Sequence, residues 1–274
     1  MTLLSIADRA RAVDGVDPLN EASRLAIDAG SAGRVHVAVK DAGHVVAAAY
    51  ADGTAPVEVV VDPDHRRQGH GGALVRRLVE SGETQFWAHG DLPAAQALAA
   101  SAGLSAVRTL LVLRLELDDS PTPEVVPDGI TLRTFEPDDV DAVVRVNGRA
   151  FASHPEQGAM DRADFERRAA SDWFDPAGLF IAVRDGEVVG FHWTKVEDGI
   201  GEVYVVGVDP SEQGSGLGTA LTARGVRHLY DQGLRVVDLY VEGDNDPALA
   251  VYRRLGFTEH ARDVLYADER VPAP

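Results

Sequence analysis

Six residues, Gln213-Gly214-Ser215-Gly216-Leu217-Gly218, form the part of this sequence best suited to chemistry. They lie between the apolar run ending at Val208 and a segment with apolar residues at helical spacing, Leu217, Leu221, Val226 and Leu229. A glycine-rich turn between strand and helix points successive backbone N–H groups outward, and the helix dipole adds positive potential. Glycine, lacking a Cβ, lets an anion approach that backbone closely. A turn of this kind binds a pyrophosphate. Its spacing does not fit the dinucleotide fingerprint, which needs GxGxxG after a first strand and an acidic residue about 20 positions on. No Gly-Lys-Ser/Thr follows either, so the P-loop reading fails.

The same turn occurs twice. Val59–Gly72 reads VVVDPDHRRQGHGG and Val206–Thr219 reads VGVDPSEQGSGLGT, with Asp62 matching Asp209 without a gap. Further on, His89–Leu104 (HGDLPAAQALAASAGL) parallels Glu242–Phe257 (EGDNDPALAVYRRLGF). Two similar elements in one order, half a chain apart, indicate duplicated domains. The boundary is expected in Leu117–Gly129, LDDSPTPEVVPDG, whose three prolines and four acidic residues read as an extended, hydrated linker. The expected organisation is a first domain over 1–118, a linker over 119–129 and a second domain over 130–274.

The elements that must position the second turn can be placed by periodicity. Ile130–Phe135 is a strand, and Pro137 opens a helix carrying Val140, Val143, Val144 and Val146. A second helix is expected from Asp164 to about Trp173. Leu179–Val183 and Val188–Lys195 read as a hairpin turning at Asp185-Gly186. Glu202–Val208 is the next strand, Leu217–Leu229 a helix, Arg235–Glu242 a strand and Pro247–Leu255 a helix closed by Gly256. Hairpins followed by strand–helix–strand–helix describe an α/β fold with a mixed sheet.

Composition narrows the partners. The chain has 274 residues, 45% of them hydrophobic, and a formal net charge of −18. Such a charge repels phosphate backbones and anionic membranes, so neither nucleic acid nor a membrane is an expected partner. No apolar stretch approaches the roughly 20 residues needed to cross a bilayer. The first residues, MTLLSIADRARAVDG, lack a secretory signal's apolar core, which makes the cytoplasm the expected location. There is no cysteine, which excludes disulfides, thiolate zinc sites and a Cys nucleophile. No compact His/Asp cluster suggests a metal. Only two lysines occur, Lys40 and Lys195. Genomic codon bias explains that scarcity, but it draws the eye to Lys195 beside Trp193.

Gln213, Gly216 and Gly218 match the Gln/Arg-x-x-Gly-x-Gly/Ala motif of the GNAT superfamily of N-acetyltransferases, and Arg66, Gly69 and Gly71 match it again. Asn245-x-x-Ala248-x-x-x-Tyr252 is similar to that superfamily's second cofactor-side motif. Segments outside those motifs resemble its tandem-domain family that completes the thiol mycothiol. They are Gln85–Leu92 (QFWAHGDL), Phe151–Gly158 (FASHPEQG), Trp173–Leu179 (WFDPAGL), Gly190–Lys195 (GFHWTK) and Gly201–Pro210 (GEVYVVGVDP).

The resemblance implies two tandem GNAT-type domains and acetyl-CoA as co-substrate. The acceptor it implies is the cysteine amine of a cysteinyl-glucosaminyl-inositol, a small thiol-sugar, and a monomer is expected. Another primary amine, in a polyamine, an aminoglycoside or a protein N-terminus, is the alternative acceptor. A non-catalytic acyl-CoA sensor is a third reading. By the same resemblance, acetyl-CoA would contact Val206, Gly207 and Val208 on the strand. It would contact Gln213, Gly214, Ser215, Gly216, Leu217, Gly218 and Thr219 at the turn. Asn245, Asp246, Pro247, Ala248, Leu249 and Ala250 would complete that side.

Direct aminolysis of a thioester needs a base for the amine, donors for the carbonyl and an acid for the thiolate. The resemblance gives the base to Glu202, which could equally be an exposed strand-end acid. It gives the acid to Tyr252, which shares a helical stripe with Leu249 and Leu255 and could equally be core. Substrate recognition would fall on Glu156, Lys195, Glu202 and Tyr240, with Glu21 contributed by the first domain. In that domain Val59, Val60, Val61, Arg67, Gln68, Gly69, His70, Gly71 and Gly72 would form a second cofactor loop, with Arg66 and Arg67 suited to phosphate. Gapless alignment puts Ala55 at the Glu202 position and Ala99 at the Tyr252 position, so the first domain is expected to bind acetyl-CoA without turnover or to serve mainly as scaffold.

Overall fold

The computed structural model describes residues 2–30, 34–41, 44–53, 55–118, 120–152 and 157–268, with the side chains of Glu21 and residues 34–41 left aside. In chain order the elements are α1 (Leu3–Asp14), α2 (Glu21–Asp28), β1 (Arg34–Asp41), β2 (His44–Ala51), β3 (Val57–Val61), α3 (His70–Glu80), β4 (Gln85–His89), α4 (Pro93–Ala102) and β5 (Ser105–Glu116). Then come β6 (Thr131–Thr134), α5 (Val140–Ala150), α6 (Arg162–Ala169), β7 (Leu179–Arg184), β8 (Glu187–Glu197), β9 (Ile200–Val208), α7 (Leu217–Asp231), β10 (Val236–Glu242), α8 (Asp246–Arg254) and β11 (Thr258–Ala267).

Two compact units emerge, but they do not follow the cuts expected at 118 and 130. The first comprises Met1–Leu111, Glu242–Asp244 and Ala261–Pro274; the second comprises Val112–Val241 and Asn245–His260. The reason is strand membership. The end of β11 pairs antiparallel with β4 inside the first unit, Asp263 opposite His89 through Ala267 opposite Gln85. Non-local strand pairing of this kind leaves no mark in local composition. The described residues of the Pro-rich stretch before Gly129 contain neither helix nor strand, and they are held to the second unit. The Leu117 N–H donates to Arg235 O at 2.8 Å, and Glu124 pairs with Arg224.

In the first unit β1, β2 and β3 are antiparallel neighbours, and β3 pairs parallel with β4 after the α3 crossover. Ala47, Ala49, Val57, Leu74, Leu78 and Phe86 pack one face; Leu3, Ile6, Ala7, Ala48, Tyr50 and Val60 pack the other. Alternating residues of β2 thus serve opposite faces, the period of two that a sheet covered on both sides demands. The second unit repeats the plan with β6, β7, β8 and β9 antiparallel and β9 parallel to β10. Asp185 (φ 51°) and Gly186 (φ 85°) make the left-handed pair of the β7–β8 hairpin turn. Helices α5 and α6 cover one face around fully buried Trp193, Phe165 and Phe191, and α7 covers the other through Leu217 and Leu221. Helix α6 ends at Ala169, short of the expected Trp173, because Ser171–Asp175 leaves the helix and Asp175 caps the next turn at Ala177 N, 2.9 Å.

His192 belongs to that second core. Its Nδ1 lies 2.7 Å from Leu221 O, and burial drives its pKa down to about 4, so the ring is neutral. Only glycine fits beneath it. A Cβ on Gly225 would stand 2.0 Å from the imidazole.

The first unit holds a histidine of the opposite kind. His89 Nε2 is 2.6 Å from Glu58 Oε1, and its Nδ1 is 2.9 Å from Asp263 Oδ2. Burial alone would lower its pKa, but bonding to Asp263 and then Glu58 outweighs this and raises it to about 9. Glu58 also accepts the Asn20 N–H at 2.9 Å, and Asp263 accepts the Gly90 N–H at 2.9 Å. The imidazolium thereby ties β3, β4 and β11 together. A folded-state pKa above the ordinary 6.5 means this contribution is complete below pH 6.5 and fades as pH rises through 9. His89→Gln is expected to lower the unfolding stability near pH 7 by about 3 kcal/mol, because it leaves two buried carboxylates without their cation. Thermal melts from pH 6 to 10 check this: the wild-type Tm should fall through pH 9 and the variant should lack that fall.

Candidate active site

The glycine turn of the second unit is built from its aspartate outward. Asp209 Oδ1 accepts the Ser211 N–H at 3.0 Å and the Ser211 hydroxyl at 2.7 Å, which closes a 3-10 turn over Pro210–Glu212. Arg149 of α5 holds the same carboxylate at 2.8 Å, and Gln213 Nε2 donates to Val208 O at 3.4 Å. Gly214 (φ 80°) and Gly216 (φ 91°) then adopt the left-handed conformation that glycine enters without strain. Gly216 stands at the N-cap of α7, where it offers no side chain to the helix. The first-turn N–H groups of a helix have no partner within it. Here the Leu217 N–H meets Ser215 Oγ at 3.3 Å, and the turn stands at the positive end of the helix dipole, the place a diphosphate needs.

Beside this turn the sheet opens. β9 and β10 pair only at Gly201–Val237 and Glu202–Asp238, so the edge of Val203–Val208 towards β10 is left unladdered. Across the other edge, Trp193 lies opposite Val205 and Thr194 opposite Val203, which makes Tyr204 the extra residue of a β-bulge. The opening presents main-chain N–H and C=O groups of Val206 and Val208 directly upstream of the turn, while Gly207 between them faces Phe191 of β8. An extended amide-bearing chain could pair with that edge as a further strand would.

Lys195, Glu202 and Tyr240 come together on one face of the second unit's sheet. Lys195 is directly opposite Glu202, and Glu202 directly opposite Asp238, two residues before Tyr240. Lateral neighbours in a sheet project to the same side, as do residues two apart. Tyr240 is 56% exposed there. Lys195 Nζ lies 2.7 Å from Glu197 and 5.5 Å from the Trp173 ring centre, and Trp173 meets Tyr204 edge-on at 4.9 Å. Trp173 and Tyr204 were not singled out by type or spacing. Their only signal was aromatic character near a bulge, which is not visible before strands are paired. Glu156 lies outside the described residues. Glu21 opens α2, and its side chain is likewise outside what is described.

Tyr252 is on α8, whose N-cap Asn245 accepts the Ala248 N–H at 3.2 Å, with Asp246 and Pro247 in the first turn. Leu249 is buried on the stripe it shares with Tyr252, and the Tyr252 ring meets Phe257 edge-on at 5.9 Å. Burial raises the phenol pKa to about 12. The hydroxyl makes no hydrogen bond to another described residue. A half-buried phenol that stays protonated and has no protein acceptor can donate to a ligand.

The first unit mirrors the turn in detail. Asp62 Oδ1 accepts the Asp64 N–H at 3.0 Å, Arg9 of α1 lies 3.0 Å from its other oxygen, and Arg66 Nε donates to Val61 O at 3.3 Å. Arg67 (φ 63°) and Gly69 (φ 87°) match Gly214 and Gly216. Arg66 is not open to phosphate as expected: both its Nη atoms bond Asp14 at 2.7 Å. Arg67 is exposed, although a left-handed arginine costs about 1 kcal/mol or more relative to glycine. Ala99 is buried at the position corresponding to Tyr252. Ala55 does not occupy a strand position at all. It is in the turn before β3, with its N–H bonded to Asp52 at 2.7 Å. The last β3–β4 rung is instead Glu58–Trp87, and Glu58 is committed to His89 and Asn20.

Among the described residues no group of three or more His, Asp or Glu is arranged to hold a metal, and no helix is long and apolar enough to cross a membrane.

The acetyltransferase (GNAT) family model matches residues 7–103 and again 148–257. Over 273 residues the chain is 55% identical to the mycothiol acetyltransferase of Thermomonospora curvata, covering 96% of this chain and 92% of that one. Against the mycothiol acetyltransferase of Catenulispora acidiphila identity is 47%, with 97% and 94% covered. A GCN5-related N-acetyltransferase from Sphaerobacter thermophilus superposes with a TM-score of 0.75 at 25% identity, covering 98% of this chain and 92% of that one. The fold is also that of a tandem GNAT protein from the clavulanic acid pathway, with a TM-score of 0.59 at 23% identity over 86% of this chain and 82% of that one. This chain is an acetyl-CoA-dependent N-acetyltransferase that belongs to the GNAT family in tandem form and, within it, to the mycothiol acetyltransferases.

Proposed function

We propose that this enzyme transfers the acetyl group of acetyl-CoA to the cysteine amine of 1D-myo-inositol 2-(L-cysteinylamino)-2-deoxy-glucopyranoside, which gives mycothiol, and that the second unit does the chemistry. The acceptor is taken from the relatives' name. The observation that carries the mechanism is the parting of β9 and β10 just beyond Glu202, upstream of the glycine turn. Acetyl-CoA supplies an activated acyl thioester. The turn from Gln213 to Thr219 holds its diphosphate, and the open edge at Val206–Val208 pairs with the pantetheine amides and polarises the carbonyl. Glu202 takes the proton of the acceptor ammonium, directly or through water, and the freed nitrogen attacks the carbonyl carbon. A C–N bond forms, the C–S bond breaks, the Tyr252 hydroxyl protonates the departing sulfur, and the second proton that the nitrogen sheds on becoming an amide restores the phenol through solvent. Because the chain has no cysteine, no thiol of its own can carry the acyl group. Lys195 and Tyr240 bind the sugar and inositol hydroxyls on the acceptor face.

Turnover with cysteinyl-glucosaminyl-inositol, measured against a polyamine, an aminoglycoside and a peptide N-terminus, tests the acceptor. A kcat/KM for the thiol-sugar at least 100-fold above the rest is expected, and parity with any of them would defeat this reading.

The first unit, by this reading, binds acetyl-CoA without turning it over. The mirrored turn and the exposed, left-handed Arg67 support binding; buried Ala99 supports silence. Calorimetric titration of the full chain with acetyl-CoA is expected to count two sites. A single site would confine binding to the second unit. The full chain is required, because a fragment ending at residue 118 would lack the part of β11 that completes the first sheet.

A further inference from the structure

Four charged side chains stand in a row across four neighbouring strands at the rung where β9 and β10 part. Lys195 of β8 is opposite Glu202 of β9, and Glu202 is opposite Asp238 of β10. Asp238 is gripped in turn by Arg114 of β5, the strand next to β10, through Nε to Oδ1 and Nη2 to Oδ2, both at 2.7 Å. Both members of that pair are largely withdrawn from water, with side chains 24% and 15% exposed. The row therefore runs plus, minus, minus, plus. Two residues of like charge directly opposite on adjacent strands, whose backbones run about 5 Å apart, repel. An uncancelled Asp238 charge beside Glu202 would make Glu202 harder to ionise. A fork of two parallel, charge-assisted bonds cancels the Asp238 charge and fixes its direction.

We propose that Arg114 and Asp238 are positioning residues for the acetyl transfer: their ion pair neutralises the carboxylate beside Glu202 and so sets the pH at which Glu202 becomes an effective base. This rests on Glu202 acting as the base. Among the described residues, the charged or titratable groups around this row include Lys195 and Glu197 from β8, Tyr240 from β10, Glu116 from β5 and Arg168 from α6, the last over Tyr204. Among the described residues Arg114 alone bonds the Asp238 side chain.

The test is a charge cycle read through pH profiles of kcat/KM for the thiol-sugar, with the intact chain throughout. Arg114→Met leaves Asp238 uncancelled, so the acid limb should move up by about one pH unit, which is about tenfold in rate below the limb. Asp238→Asn leaves Arg114 uncancelled, so the limb should move down. The double variant, neutral at both positions, should return close to wild type, and Arg114→Lys should restore most of the Arg114→Met shift. The KM for acetyl-CoA should stay within about twofold in all of them, since none touches the glycine turn. A merely structural pair would give two single variants that lose rate alike, with unmoved limbs and no recovery in the double variant. That pattern overturns the proposal. Glu202→Gln separates the two failures. If it retains wild-type rate and limb, the base assignment itself falls; if it loses rate while Arg114→Met leaves the limb in place, only the role of the ion pair falls.

Discussion

Glu202→Gln is expected to lower kcat/KM for the thiol-sugar about 100- to 1,000-fold near pH 7, the span that a positioned general base commonly supplies. The amide keeps the size and hydrogen-bonding reach of the side chain and removes only its ability to take a proton. Its rung between Lys195 and Asp238 is made by backbone, so the substitution should leave β9 in register. The pH dependence carries the argument. A primary amine is largely protonated near neutrality, where a base has most to contribute; once solution deprotonates the acceptor, the loss should shrink to about tenfold or less. Stopped assays across pH 6.5–9.5 at fixed, saturating acetyl-CoA give the comparison. A deficit of constant size over that range would make Glu202 a binder of the acceptor rather than its base, since a contact to a group that does not titrate is lost equally at every pH.

The glycine turns were legible because their chemistry is local. Positions that must turn left-handed ask for glycine, and Gly69, Gly214 and Gly216 supply it where the chain passes from strand to helix. The two-domain plan was legible for the same reason, as a repeat of that local signal. What escaped was non-local. Arg9 and Arg149 brace Asp62 and Asp209 from 53 and 60 residues away, so gapless comparison could not align them. β3 begins only at Val57 whereas β9 begins at Ile200, so counting back from Asp62 and Asp209 set Glu202, a strand residue, against Ala55, which lies in a turn. The exchange of β11 into the first unit and the fork from Arg114 to Asp238 depend on strand order, which residue spacing does not encode. Arg66 matched a phosphate-binding position by type, but Asp14, on a helix 52 residues earlier, had already claimed it.

Tyr252→Phe is the sharper probe of the other half of the reaction. It is expected to cut kcat about 10- to 100-fold while moving the acceptor KM by less than about threefold, because a proton given to a departing thiolate is given only in the transition state. The variant removes one oxygen and keeps the ring that meets Phe257, so the packing of α8 should survive. With its pKa raised to about 12 by burial, the phenol stays protonated over any practical assay range. Its loss should therefore lower the whole profile without adding or deleting a limb, in contrast to Glu202. Chemistry at sulfur offers a second, independent check. A donor thioester with a more acidic thiol needs less help in leaving, so the gap between wild type and Tyr252→Phe should narrow with it. If the gap stays the same for both donors, the hydroxyl is not protonating sulfur, and its lack of a hydrogen-bond partner among the described residues must be explained by contact with some other part of the substrates.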